Sequence, residues 1–367
     1  MKTGIIGLPA TGKTTIFNAL THGQAPVTEF GGRLGEANVG VIAVPDARFD
    51  HIVDVYHPKK VSPASIEVID GAAPIGVETR GDKFGTDFFT GIRAVEALIH
   101  VVRAFDSPTV PTPEGGLNPL RDVRKVNDEL MLADLTLVET RLERLDKALR
   151  NRKLDPNNPQ VVERDLMLRI QAHLEAEKPL KELELSADEI RHIRSFDFLT
   201  LKPMIIVANV NEDHTPESDE SLLGGLRAYC AEENMELIEL IANIEAEIAQ
   251  LPEDEEKEYM EAMGISEPAR NRVVQSAYRA LGLISFFTAG EDEVKAWTID
   301  KGDKAVDAAG KIHSDLARGF IRAEIVSYDD FVKAGSFEAA KTAGLMRLET
   351  KDYIIQDGDI MVVRFKV

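Results

Sequence analysis

The chain is poor in cysteine and has no long apolar run, and both shortages exclude certain classes of protein. The single cysteine, Cys230, cannot form a disulfide within the chain. No apolar run reaches the roughly 18 residues that a membrane-spanning helix needs. Met1–Ile6 leads directly into an apolar strand, without a signal core followed by a cleavage site. These shortages predict a cytoplasmic protein that does not contact a membrane.

Basic residues are also few in comparison with acidic ones. The 43 lysines and arginines face 63 aspartates and glutamates, which gives a formal net charge of -20. Such a chain repels nucleic acid on average, so DNA binding is not expected and contact with RNA requires a local basic patch. A length of 367 residues exceeds what one hydrophobic core usually supports, so two or three domains are predicted.

Short apolar runs alternate with helical stretches through the first two thirds of the chain, which predicts an α/β fold with a mostly parallel sheet. The run Ile5-Ile6-Gly7 leads into a glycine-rich turn, and the helix Lys13–Leu20 follows. The other strand-like runs are Ile66–Ile69, Leu98–Val102, Met204–Ala208 and Leu237–Leu240.

A helical hairpin is predicted to interrupt this pattern. Leu135, Val138, Leu142, Leu145 and Leu149 have the spacing of a coiled-coil seam, and Asp155–Pro159 breaks the helix. The return arm carries Val162, Leu166, Ile170 and Leu174. The hairpin is either a device for stability or an arm that touches RNA. The basic residues at its tip favour the arm, and they are Lys147, Arg150, Arg152 and Lys153.

After Gly282 the sequence pattern changes to short β-like runs separated by turns, which predicts a separate small α+β module. The runs include Lys295–Ile299, Arg322–Val326 and Ile360–Phe365. A helix is expected at Ala305–Leu316, with Asp303 as its N-cap.

The segment Gly7–Thr14 matches the pattern GxxxxGK[ST] completely, after a strand and at the start of a helix. Glycines in such a loop let backbone N–H groups face phosphates, and Lys13 reaches the β and γ phosphates. The predicted nucleotide-binding residues of this loop are Pro9, Ala10, Thr11, Gly12, Lys13, Thr14 and Thr15.

A Mg²⁺ site is predicted from Thr14 and Asp70. The hydroxyl of Thr14 is placed to hold the metal, and Asp70 ends an apolar strand where P-loop proteins carry an acid that binds the metal through water. The alternative for Asp70 is a simple turn-forming aspartate.

The loop Asn209-Val210-Asn211-Glu212 follows a predicted strand where GTPases carry Asn-Lys-x-Asp to read guanine. Val210 replaces the lysine that packs over the base, and the longer Glu212 replaces the aspartate. Discrimination for guanine is therefore expected to be lost, so that ATP is accepted or preferred over GTP. Asn209, Val210 and Glu212 complete the predicted nucleotide site, unless Asn209 merely caps a turn.

Several stretches resemble the YchF (Obg-like) family of P-loop proteins over nearly the whole chain. They are Gly7-Leu8-Pro9, Phe17–Leu20, Asn38–Val41, His100–Phe105, Asn127–Leu130, Ala208–Glu212, Gly319–Glu324 and Tyr353–Asp359. The resemblance implies a discontinuous P-loop G domain (1–120 and 196–281), an antiparallel coiled-coil insertion (121–195) and a C-terminal ubiquitin-like TGS domain (282–367). It also implies an ATP-preferring hydrolase that uses Mg²⁺ and associates with the ribosome.

This chain departs from the family pattern in places that sense the γ-phosphate. Leu34 stands where the family has a metal-binding threonine, Ala73-Pro74 replaces a glycine and the residue after it, and Thr112 replaces a histidine. Ala10-Thr11 replaces Asn-Val in the P-loop. We therefore predict nucleotide binding with slow hydrolysis. The alternatives are a nucleotide-gated adaptor with little or no hydrolysis, and a GTP-binding protein.

Overall fold

The computed structural model describes residues 1–23, 38–70, 86–113, 115–150, 155, 157–215 and 220–366. These residues divide into two compact units. Unit 1 comprises Met1–Gly40 and Val68–Val273, and unit 2 comprises Val41–Glu67 and Val274–Val367. The segment 41–67 thus groups with the C-terminal residues, whereas the sequence placed it in the G domain. The predicted boundaries of three domains stay a prediction.

The strands, in chain order, are β1 (Lys2–Ile6), β2 (Asn38–Ala43), β3 (Lys60–Ser62), β4 (Ser65–Asp70), β5 (Ala97–Ala104), β6 (Met204–Val210), β7 (Leu237–Leu240), β8 (Leu283–Thr288), β9 (Glu293–Asp300), β10 (Phe320–Val326), β11 (Arg347–Glu349) and β12 (Ile360–Phe365).

The α-helices are α1 (Lys13–Thr21), α2 (Ala47–Tyr56), α3 (Thr86–Arg93), α4 (Pro119–Leu149), α5 (Pro159–Glu175), α6 (Ala187–Ile193), α7 (Glu220–Glu232), α8 (Ala242–Ile248), α9 (Glu253–Met263), α10 (Ala269–Ala280), α11 (Ala305–Ile312), α12 (Ser314–Arg318), α13 (Tyr328–Ala334) and α14 (Phe337–Thr342). Short 3-10 helices lie at Leu180–Glu182, Arg194–Phe196 and Leu199–Leu201. Among the helices of the described residues, none is both long and apolar enough to span a membrane.

The first sheet has the strand order β2-β4-β1-β5-β6-β7. Strand β5 pairs in parallel with β1 and with β6, and β6 pairs in parallel with β7. Each strand-like run that the sequence indicated in this part of the chain lies within one of these strands, except that β1 ends at Ile6, before Gly7. The α/β class and the mostly parallel sheet are confirmed. Because parallel strands end at a common edge, the loops after β1, β5 and β6 open on the same side.

Helix α4 covers one face of this sheet and then continues into the hairpin. Near its start, Val126 and Leu130 pack with Leu98 of β5. Further along, the seam residues form a buried cluster with α5, made of Val138, Leu142, Leu145, Leu166, Met167, Ile170 and Leu174. The predicted helical hairpin is thus confirmed, although Val162 of the return arm is 45% exposed.

Polar contacts also stabilise the hairpin and its base. Arg141 of α4 forms a two-pronged ion pair with Glu163 of α5, over 2.7 and 2.9 Å. At the base, the fully buried Asp134 carboxylate accepts hydrogen bonds from the N–H groups of Leu199 and Thr200 at 3.0 and 2.9 Å, and Arg93 pairs with it at 2.9 Å. These donors compensate the carboxylate for its lost hydration.

Unit 2 contains a second, mixed sheet with the order β11-β10-β12-β8-β9-β3. Its core lies between the sheet and α11 and includes Phe286, Ala308 and Ile325. The segment 41–67 contributes α2 and the edge strand β3, which pairs in parallel with β9.

The helix predicted at Ala305–Leu316 is divided in the structure into α11 and α12. His313, with an extended backbone, separates them. The expectation that Asp303 caps this helix is wrong, because the N-cap is Lys304. The Asp303 carboxylate instead accepts a hydrogen bond from the N–H of Asp300 at 3.2 Å, within the preceding turn.

Candidate nucleotide-binding site

The loop between β1 and α1 requires glycine at both ends. Gly7 has a φ of +148°, and a Cβ there would lie 2.3 Å from the carbonyl oxygen of Val101. Gly12 has a φ of +92°, and its Cβ would lie 2.4 Å from the side-chain nitrogen of Asn209. A side chain at either position meets both a strained backbone and a collision. The glycines therefore let the loop lie directly against Val101 in β5 and Asn209 near the end of β6.

Lys13, the first residue of α1, folds back over this loop. Its Nζ donates to the carbonyl oxygens of Gly7 at 3.2 Å and Leu8 at 2.7 Å. Burial lowers the pKa of Lys13 to about 8, while the nearby charge of Asp70 acts in the opposite direction. The ammonium group is thus held at the loop in a poorly solvated environment, where its attraction for a phosphate is strengthened.

The two predicted metal-binding residues lie together. The hydroxyl of Thr14 hydrogen-bonds the carboxylate of Asp70, and the side chain of Asn38 hydrogen-bonds the same carboxylate. Burial raises the pKa of Asp70, against the effects of Thr14, Lys13 and Asn38. An acid and a hydroxyl thus meet at the edge where the phosphates of a nucleotide would lie.

This pair fits Mg²⁺ in its chemistry. Mg²⁺ takes hard oxygen ligands, keeps several waters, and is often held by one or two protein groups together with substrate phosphates. Within the described residues no group of three or more histidine, cysteine, aspartate or glutamate side chains could hold a metal alone. A metal at Thr14 and Asp70 would therefore depend on the nucleotide for further ligands.

Asn209 links the loop between β1 and α1 to the start of α8. Its Nδ2 donates to the Thr11 carbonyl at 3.1 Å, and its Oδ1 accepts from the N–H of Ala242 at 3.0 Å. Val210 behaves differently, because its side chain is 3% exposed and packs into an apolar cluster. Glu212 is exposed in the loop that follows β6. Asn209 therefore lies at the loop, Val210 faces the core and Glu212 faces solvent.

The loop after β5 is held by a buried arginine. Arg103 is 2% exposed, and its guanidinium donates to the carbonyl oxygens of Phe105, Val110 and Pro111 at 3.0, 3.1 and 2.9 Å. Thr112 follows directly and is exposed. Thr112 therefore presents an exposed hydroxyl group, directly after loop residues that Arg103 holds in place.

Two family models match the chain. Residues 2–141 match the family described as "50S ribosome-binding GTPase", and residues 283–366 match YchF-GTPase_C, described as a protein of unknown function (DUF933). "Ribosome-binding ATPase YchF" of Bacillus subtilis (strain 168) is 39% identical over 366 residues, which cover 99% of each chain. The chain belongs to the YchF family.

Further relatives agree with this assignment. "Ribosome-binding ATPase YchF" of Escherichia coli O157:H7 is 40% identical, over 100% of this chain and 99% of the relative. The solved structure of the Schizosaccharomyces pombe YchF GTPase superposes with a TM-score of 0.84 at 31% identity, covering 99% of this chain and 97% of that one. The resemblance that the sequence motifs indicated is confirmed, and with it the P-loop fold followed by a YchF-type C-terminal domain.

Some residues that the sequence singled out lie outside the described residues. They are Leu34, Ala73 and Pro74 of the two switch segments, and Arg152 and Lys153 of the hairpin tip. The described part of the tip contains Lys147 and Arg150, both exposed, and Lys147 pairs with Glu143 at 3.7 Å. The basic tip and the altered switches stay predictions.

Sequence reasoning assigned no role to two residues that complete this YchF site. Asn38 was noted only as part of a family stretch, and it hydrogen-bonds Asp70. Ala242 supplies a backbone N–H to Asn209. A backbone N–H does not require a particular residue type. The only available signal for Ala242 was therefore its position at the start of a helix after β7.

Proposed function

We propose that the chain binds ATP in the loop Gly7–Thr15, in preference to GTP, with Mg²⁺ at Thr14 and Asp70, and hydrolyses it slowly. The observation that carries this proposal is the convergence of the Lys13 ammonium group with the Thr14–Asp70 pair at one loop. The proposed nucleotide-binding residues of the loop are Pro9, Ala10, Thr11, Gly12, Lys13, Thr14 and Thr15. Asn209, Val210 and Glu212 belong to the proposed site as the segment that would lie beside the base, with the side chain of Val210 directed into the core. Relatives named ATPase support hydrolysis in general.

The preference for ATP rests on the loop after β6. The side chain of Val210 is buried in the core, so it cannot pack over a base as the lysine of GTPases does. Glu212 has a longer side chain than the aspartate with which GTPases bind guanine. A site without a short carboxylate at guanine loses the hydrogen bonds that reject adenine. Asn209 is engaged with Thr11 and Ala242, so it shapes the loop.

Slow turnover is proposed because Thr112 stands where many YchF proteins carry a histidine. A threonine hydroxyl is a poor general base at neutral pH, whereas a histidine can take up or orient a proton. The same observation favours the second candidate, a nucleotide-gated adaptor in which bound ATP orders the protein without being consumed.

Single-turnover phosphate release separates these two candidates. Wild type, Lys13→Ala and Thr112→His are compared with the protein in excess over Mg·ATP. The proposal expects slow release that disappears in Lys13→Ala and becomes faster in Thr112→His. Binding without Lys13-dependent release identifies the adaptor, and fast release by the wild type contradicts the proposed slow hydrolysis.

We further propose that the chain associates with the ribosome in the cytoplasm, through the hairpin tip and the C-terminal domain. The support is the name "ribosome-binding" of its relatives and the exposed Lys147 and Arg150, with Arg152 and Lys153 next to them in sequence. Co-sedimentation with ribosomes tests it. Charge reversal of Lys147 and Arg150 should weaken association and its salt dependence, whereas reversal of the exposed Lys125 and Lys178, near the opposite end of the hairpin and outside the C-terminal domain, serves as a matched control. Equal losses in both variants would contradict a specific role for the tip.

A further inference from the structure

A tight turn after β6 carries Glu212. The N–H of His214 donates to the carbonyl oxygen of Asn211 over 3.1 Å, so these residues close a β-turn in which Glu212 is the second residue. Glu212 itself is exposed. The turn lies near the P-loop, because Asn209 contacts the Thr11 carbonyl and the three residues beyond it span at most about 11 Å.

The first residue of the turn is held by the loop after β5. The Oδ1 atom of Asn211 accepts a hydrogen bond from the N–H of Asp106 at 3.0 Å. One residue before Asp106, the carbonyl oxygen of Phe105 accepts a hydrogen bond from the buried Arg103 at 3.0 Å. One end of the turn is therefore tied to a loop that a buried side chain holds in place.

The last residue of the turn is held by β7. Arg227 of α7 donates to both carboxylate oxygens of Glu239, at 2.8 and 3.0 Å, and this contact lowers the pKa of Glu239. The carboxylate is thus ionised at neutral pH and can only accept hydrogen bonds, so the Nε2 atom of His214, 2.8 Å from Oε2, is the donor. The His214 side chain is 11% exposed, so water competes little for this contact.

Side chains therefore tie both ends of one short turn, while its central residues, Glu212 and Asp213, are exposed and carry carboxylates. A turn that only reverses the chain needs no such ties, because its own backbone hydrogen bond closes it. Ordering a segment before a ligand arrives removes an entropy cost that binding would otherwise include. The two ties therefore favour a turn whose exposed carboxylate meets a ligand.

We infer that Asn211 and His214 are positioning residues of the nucleotide site, which hold Glu212 beside the base and so determine how strongly ATP is preferred over GTP. This inference rests on the proposed nucleotide binding and deepens it. Adenine carries an amino donor where guanine carries a carbonyl acceptor. A carboxylate accepts hydrogen bonds and repels other acceptors, so it distinguishes the two bases only while its position relative to them is fixed.

A double-mutant cycle separates positioning from a general effect on the loop. His214→Ala removes one tie and should reduce the ratio of the GTP and ATP dissociation constants by about 2- to 12-fold, which is what one ordinary hydrogen bond contributes. In a Glu212→Ala background the same change should leave the ratio unaltered, because the group that His214 positions is gone. His214→Gln keeps a side-chain N–H donor and should retain most of the preference.

Two controls accompany the cycle. His173→Ala removes a histidine with a comparable contact at the end of α5, where Nε2 lies 3.2 Å from the carbonyl oxygen of Pro179, and it should leave the ratio unchanged. Magnesium tripolyphosphate has no base, so wild type and His214→Ala should bind it equally well.

Calorimetric titration of wild type and these variants with Mg·ATP, Mg·GTP and magnesium tripolyphosphate tests the inference. A wild type that prefers ATP, together with an unchanged ratio in His214→Ala, would overturn the inference and leave the proposed function standing. An equal loss of affinity for all three ligands in His214→Ala, or a reduction of the ratio that persists in the Glu212→Ala background, would also overturn it. A wild type without preference for ATP would overturn the proposed preference and the inference with it.

Discussion

The Asn209 side chain donates a hydrogen bond to the Thr11 carbonyl over 3.1 Å, and 198 residues separate the two in sequence. The same side chain accepts from the N–H of Ala242 at 3.0 Å. One carboxamide therefore joins the P-loop, the end of β6 and the start of α8. Both polar ends of the Asn209 side chain are therefore engaged with backbone groups.

Removing that link should be costly. In Asn209→Ala, a buried carbonyl and a buried N–H lose their partners, at about 1–3 kcal/mol of unfolding free energy for each group. Denaturant titration of the nucleotide-free protein measures the loss. Asn211→Ala is the control, because Asn211 accepts from Asp106 in an exposed loop where water can substitute. Equal losses in the two variants would show that Asn209 is not a structural link.

Gly12→Ala should impair the site through a collision as well as through backbone strain. Gly116 offers a control, since its φ of +79° is similarly left-handed but an added Cβ meets nothing within 4 Å. Gly116→Ala should cost about 1 kcal/mol from the backbone alone, and Gly12→Ala clearly more. Combining Gly12→Ala with Asn209→Ala should cost less than the sum, because the second change removes the atom that the methyl group meets. Strict additivity in melting experiments would contradict the collision.

Ala10 occupies a left-handed conformation, with a φ of +59°, in an exposed part of the loop. A residue with a Cβ pays about 1 kcal/mol there relative to glycine. Ala10→Gly should therefore raise the unfolding free energy of the nucleotide-free protein, and Ala10→Asn, the residue at this position of the YchF pattern, should also be tolerated well. Ala19→Gly, within the buried part of α1, should lower it instead. A loss of stability in Ala10→Gly would mean that the loop conformation is different.

The affinity for nucleotide should fall as pH rises through about 8. Burial lowers the pKa of free Lys13 to about 8, while a bound phosphate would raise it again because it stabilises the charged form. Binding then takes up a proton whenever the free lysine is neutral, so affinity is fully present below the pKa of the free protein and declines above it. Calorimetry in buffers of different ionisation enthalpy measures the proton uptake. Lys13→Arg, which stays charged, should bind with little dependence on pH between 7 and 9, and a pH dependence unchanged from the wild type would assign the effect to another group.

Much of the geometry of the candidate site could be predicted because its sequence signals are local. The glycines, Lys13 and the start of α1 lie within a few residues of one another, and each is explained by one physical requirement. The hairpin was predictable for a similar reason, since its seam repeats along one helix. These features depend on spacing within one element, which sequence displays directly.

Long-range contacts left no such signal. Strand β3 has only three residues, and its neighbour β9 lies far along the chain, as the hydrogen bond between Ser62 and Glu293, 231 residues apart, illustrates. Nothing in so short a strand predicts that the segment 41–67 groups with the C-terminal residues. The break at His313 was missed because no proline marks it and the nearby Gly310 lies within α11 and not at the break. The N-cap was assigned to Asp303 by residue type, although Lys304 occupies the position.

The measurement that tests the central claim most directly is a calorimetric titration of nucleotide-stripped protein with ATP and with GTP, each with Mg²⁺ and with EDTA, and with Lys13→Ala as control. The account predicts tighter binding of ATP than of GTP, a loss of affinity when Mg²⁺ is removed, and a large loss in Lys13→Ala. Tighter binding of GTP would contradict the role assigned to Val210 and Glu212. Binding that is independent of both Lys13 and Mg²⁺ would contradict the site itself.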